Sequence, residues 1–258
     1  MQMKSKNPFL SNKSFTKTAN TVHDVDGRPV NFIDYNDTMT VKGAINKSML
    51  LFALLVSSAV LSGYLMLFQG INPMVMTLGG GIVGFILVLI AGFKPQHSGV
   101  LAPGYAVFQG LFVGGISLLM EMMYPGIVLQ AVGATMVTFI VCFLLYRFGV
   151  VKVTQQFKSV VIAATLAICT YYIISLVLSM FGFELFHHGS SLMSIGFSVF
   201  VIVLAALNLF LDFDLMEQGA KSRLPKYMEW FGAMGLMVTL VWLYVEFLRL
   251  LSKISGRD

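Results

Sequence analysis

The stretch LMSIGFSVFVIVLAALNLFLDFDLM, residues 192–216, decides the fold. From 192 to 211 it holds no charged residue. About 20 apolar residues rising 1.5 Å each cross roughly 30 Å of hydrocarbon, so this run reads as a transmembrane helix that ends in an acidic pair. Working outward, six further runs of the same kind fall at 48–68, 74–93, 99–120, 125–146, 159–183 and 231–251. The breaks carry turn chemistry: Asn72-Pro73, Lys94-Pro95 and Tyr124-Pro125-Gly126, with a longer polar break at 212–230. Long unbroken runs exclude a membrane β-barrel, whose strands alternate over about 10 residues. The expected fold is an all-α, seven-transmembrane-helix bundle.

Composition agrees. The 258 residues are 57% hydrophobic and 11% charged, against about 25% charged in soluble domains. The balance of 17 Lys+Arg over 12 Asp+Glu would suggest nucleic acid in a soluble chain. Here the charges sit outside the apolar runs, so they read as topology signals, and no nucleic-acid partner is expected. Cys142 and Cys169 lie inside apolar runs and form no metal knuckle or disulfide framework.

Two regions follow: a polar, largely disordered tail over 1–47 and a seven-helix domain over 48–254. An amphipathic stretch at 31–35 is the one part of the tail suited to touching lipid. No secretory signal is expected in the tail, which lacks an apolar core. Lys and Arg concentrate in the tail and in the 2–3, 4–5 and 6–7 connections, whereas the 1–2, 3–4 and 5–6 connections hold none. That asymmetry places the N-terminus in the cytoplasm. Arg249, Lys253 and Arg257 then fall on the opposite side, an exception that seven crossings must tolerate.

Ionisable residues within spans are the functional signal, because each costs roughly 2.5–3.5 kcal/mol at a helix centre on insertion scales. At 100° per residue, Ser194, Ser198, Ala205, Asn208 and Asp212 share one small, polar stripe of the sixth helix. Asp214 lies about 200° from Asp212 and faces elsewhere. On the seventh helix Gly232, Gly235, Thr239, Trp242 and Glu246 form one face, continued by Arg249 and Lys253. A glycine-lined face ending in a carboxylate suits a helix at the centre of the bundle.

Two readings of Glu246 stand side by side. It pairs with Arg249 one turn on and anchors the helix end, or it meets Asp212 in a dry interior. There the two acids would share a proton or offer oxygen ligands to Ca²⁺. Glu184, His187 and His188 read as solvated loop residues, and Gln109 and Gln130 as interhelical hydrogen bonders. The glycines of the second and third spans, including Gly110 and Gly114 at GxxxG spacing, read as packing contacts. No nucleophile triad, zinc motif or phosphate loop appears, so no enzyme and no cofactor are expected.

Several segments resemble the Bax inhibitor-1 (transmembrane Bax inhibitor motif, YccA-like) family, in its bacterial branch. They are ALNLFLDFDLMEQG (206–219), LVWLYVEFLRLLSKI (240–254), FKPQHSGVLAPGYAVFQGL (93–111), YPGIVLQAV (124–132) and PKYMEWFGAMGLMVTLVWLY (225–244). The likeness covers roughly 44–254. It implies a pH-sensing carboxylate pair that governs a calcium leak, with Glu246 at the second position and Asp212 at the first. Asp214 is the alternative first position, and Lys94 is the basic residue after the second helix. The chain departs from the family pattern in lacking Thr-Gln after the first acid and in carrying Glu for Asp at 246. Gln109 also stands where Glu is frequent.

The resulting expectation is a pH-sensitive calcium (cation) leak channel of a bacterial inner membrane, with Asp212 and Glu246 as gating pair and possible calcium path. The alternative is a non-conducting regulator that binds another membrane protein, such as a quality-control protease, through its tail.

Overall fold

The computed structural model describes residues 20–23, 29–32, 38–181 and 191–256. The chain divides into two units, Met1–Thr38 and Met39–Asp258. Within the first, β1 (Asn20–His23) and β2 (Pro29–Phe32) pair antiparallel, Asn20 opposite Phe32 and Val22 opposite Val30. The expectation of a disordered tail falls for most of its length outside the described residues. So do 33–35 of the lipid-touching stretch, and Glu184, His187 and His188.

Among its described residues the second unit holds seven α-helices, each long and apolar enough to cross a membrane. They are α1 (Val41–Gln69), α2 (Pro73–Phe93), α3 (Ser98–Met123), α4 (Ile127–Arg147), α5 (Gln155–Met180), α6 (Leu192–Lys221) and α7 (Met228–Ser255). Their starts follow ordinary capping. Thr40, Asn72, Thr154 and Ser191 each accept a backbone N–H of the first turn. Gly70 and Gly126 supply left-handed turns beside the Pro-containing 1–2 and 3–4 connections.

Two boundaries differ from the sequence expectation. The helical domain begins at Val41 rather than 48, because Thr40 caps the first turn and Lys47 in the second turn finds a partner across the bundle. The sixth helix does not break at 212 but runs on to Lys221, since Asp214 and Glu217 on that extension are each engaged by neighbours.

α7 is central, as its small-residue face suggested. Its apolar window is 67% buried, against 17–44% for the other six, and it packs against α1, α3, α4 and α6. Close helix approach elsewhere depends on glycine. Cβ atoms at Gly110 and Gly114 would strike the Leu55 and Ala59 carbonyl oxygens, so the GxxxG face of α3 seats directly on α1. Ser58 Oγ there donates to the Val107 carbonyl oxygen at 2.6 Å. Large apolar side chains such as Phe85 and Leu129 point outward, as a lipid-facing surface requires.

Candidate functional site: the buried polar seam of α5, α6 and α7

The polar stripe of α6 is buried as its periodicity implied. Ser194, Ser198 and Ala205 are sealed, and Asn208 donates to Thr165 Oγ1 on α5 at 2.8 Å. Asp212 lies against α7, its Oδ1 3.5 Å from where a Cβ on Gly235 would stand, with the Thr239 hydroxyl as its polar neighbour. Its Oδ2 is buried without a hydrogen-bond partner. Asp214 faces another way and pairs with Lys158 of α5 at 2.5 Å. The two acids therefore serve different neighbours, as their angular separation required.

Glu246 is 1% exposed. Its Oε1 accepts from the Tyr172 hydroxyl at 3.0 Å and from Arg249 Nη1 at 2.9 Å. Arg249 also donates to the Tyr172 oxygen at 2.7 Å, with its guanidinium 5.0 Å from the centre of that ring. Glu246 Oε2, like Asp212 Oδ2, is buried with no hydrogen bond. One turn farther, buried Lys253 donates to Ser198 Oγ at 2.8 Å and to the Ser194 carbonyl oxygen at 3.3 Å.

This geometry corrects the expected Asp212–Glu246 pair. Asp212 is level with Gly235, and Glu246 lies eleven residues farther along α7, about 16 Å of helix rise. The reason is antiparallel packing: the second half of α6, which bears Asp212, meets the first half of α7. Among the described residues no hydrogen bond joins Glu246 to Asp212 or Asp214, so neither pair forms a shared-proton or two-carboxylate calcium site. No described group of three or more His, Cys, Asp or Glu gathers for a metal ion either. The i,i+3 reading of Glu246 with Arg249 is the one realised. Lys94 ends α2, exposed, its backbone N–H donating to the Ile90 carbonyl oxygen. Among the described residues it is ion-paired with none of these acids.

Sequence reasoning missed two features. Lys158, Thr165 and Tyr172 recur every seven residues, so they share one face of α5. Each reaches a polar group on α6 or α7. Their spacing was the available signal. The second is Glu229, 1% exposed at the start of α7. It accepts from Thr40 N at 2.9 Å and Thr40 Oγ1 at 3.0 Å, and pairs with Lys47. A partner 189 residues away leaves no local pattern to read.

No curated protein and no solved structure matches the chain. The family described as Bax inhibitor 1 like matches residues 7–256, nearly the whole chain. With seven described helices long and apolar enough to cross a membrane, α7 the most buried of them, this protein is an integral membrane protein that belongs to the Bax inhibitor 1 like family.

Proposed function

We propose that the protein is a proton-responsive cation leak, with calcium as cargo, whose control element is the polar seam joining α5 to α6 and α7. One observation carries this reading: the oxygens Asp212 Oδ2 and Glu246 Oε2 lie buried in that seam without hydrogen bonds. Such an oxygen in a low-dielectric interior favours whatever supplies a positive charge or a proton. A passing cation and a hydrogen ion compete for the same atoms.

The α5 contacts supply the switch. At neutral pH the Lys158–Asp214 ion pair and the Tyr172–Glu246–Arg249 cluster hold α5 at two levels, with Asn208–Thr165 between them. The charged groups around these acids are Lys158 for Asp214, and Arg249 with Lys253 beyond it for Glu246. Tyr146 also stands near Asp214. Protonation of either acid removes the ion-pair attraction while leaving the hydrogen bonds of neutral groups. Either loss weakens an α5 attachment, and with both gone the seam loosens along its length. The distribution of Lys and Arg supports a cytoplasmic N-terminus, and the resemblance to the family's bacterial branch supports a bacterial inner membrane as the setting.

The test is flux of calcium into dye-loaded liposomes containing the purified full chain. Wild-type flux should vary with pH. Glu246→Gln, which mimics the protonated acid at one of the two attachments, should move flux toward the wild-type acid-side level and flatten its pH response. Asp212→Asn should lower flux without removing the pH response. Absence of pH-dependent flux, or a Glu246→Gln profile that superposes on wild type, overturns the reading.

A further inference from the structure

A separate feature lies on the other side of α7. α1 and α4 both pack on α7 without a packed seam between them. The space left is a groove of about 580 Å³, floored by Leu240, Val241 and Tyr244 and walled by Val56, Val60 and Val132. A second apolar hollow of about 320 Å³ continues it toward the opposite membrane face. The two share Phe52, Met136, Met237 and Leu240. Among the described lining residues the single charged one is Glu121, where α3 ends and α4 begins.

We propose that this groove seats one acyl chain of an aminophospholipid, with its ammonium headgroup on Glu121. Three observations select that occupant. The lining is apolar along the membrane depth, where no water is present to fill it, so a hydrocarbon chain restores the contacts that an empty groove forfeits. An apolar partner helix could cover the groove but would bring no cation to Glu121, its single charged lining residue. The polar end has the matching charge. Glu121 accepts the Gly126 and Val128 N–H groups at 2.6 and 3.1 Å, one on each oxygen. A carboxylate has about four acceptor sites, so both oxygens keep capacity for an ammonium. Ser117 Oγ and the Tyr244 hydroxyl, 2.6 Å apart, add a polar pair one turn below, at glycerol-ester depth.

The experiment is native mass spectrometry of the full chain in detergent, titrated with phosphatidylethanolamine or phosphatidylglycerol of identical chains. Wild type should retain the ethanolamine lipid about threefold to fivefold better, the size of a partly exposed ion pair. Glu121→Gln should bring the two lipids to equal retention without abolishing it. Val132→Trp, whose parent side chain is 42% exposed, should fill the groove and reduce retention of both several-fold with the thermal unfolding transition unchanged. Equal retention of the two lipids by wild type overturns the headgroup assignment. Undiminished retention by Val132→Trp overturns the groove as the seat.

Discussion

Glu229 illustrates how one side chain sets local architecture. Its carboxylate accepts the Thr40 N–H, as an N3 Glu does in a capping box but from a different helix, and accepts the Thr40 hydroxyl as well. It also neutralises Lys47, whose ammonium sits 5.4 Å from the centre of the Trp230 ring. Removing one member of a buried pair strands the other, so Glu229→Ala should cost about 2–3 kcal/mol, reduced from the fully buried case because Lys47 keeps some solvent. Gly43→Ala should cost a similar amount by another route, since its Cβ would occupy the space of the Glu229 carboxylate. Thermal unfolding followed by circular dichroism checks both, and Gly133→Ala, with open space at its Cβ, serves as the control with little change.

At the scale of elements, the contrast between α3 and α5 matters most. α3 is fixed to α1 by backbone approach at Gly110 and Gly114, which no change of pH alters. Gly110→Leu should therefore cost about 1–3 kcal/mol or more, visible as a lower unfolding temperature at every pH. α5 is tied to the rest by polar contacts, two of them through acids. Lys158→Ala leaves Asp214 without its cation and should weaken the seam by about 1–3 kcal/mol, reduced because Lys158 is partly exposed. Hydrogen exchange should then quicken in the first half of α5 while α1 and α3 stay protected.

For the whole molecule, the arrangement concentrates polarity around a single buried helix. α7 carries Glu229 at one end, Thr239 midway, and Glu246, Arg249 and Lys253 toward the other. If the seam of α5, α6 and α7 is the control element, deleting residues 1–37, which spares the Thr40 cap, should leave pH-dependent flux within about twofold of wild type. A regulator that works by gripping another membrane protein through its tail would lose its effect on that partner with the same truncation. Measuring both in one preparation separates the two roles.

How much of this was legible differs by kind of interaction. Seven spans, the buried stripe of α6, the glycine face of α7 and the Glu246–Arg249 contact were readable in the chain. Each follows from helical periodicity or from neighbours three to four residues apart. Asp212 and Asp214 were rightly set on different faces for the same reason. Which acid meets which partner was decided only by tertiary structure. The antiparallel register of α6 against α7 carries Glu246 away from Asp212, and the placement of α5 brings Tyr172 and Lys158 in their stead. Glu229 gained its role from a threonine 189 residues distant. Hydrophobic patterning fixes which residues enter the membrane and which face they share, because lipid acts on every helix separately. Register between helices depends on side-chain fit across the bundle, and nothing in a single helix encodes it.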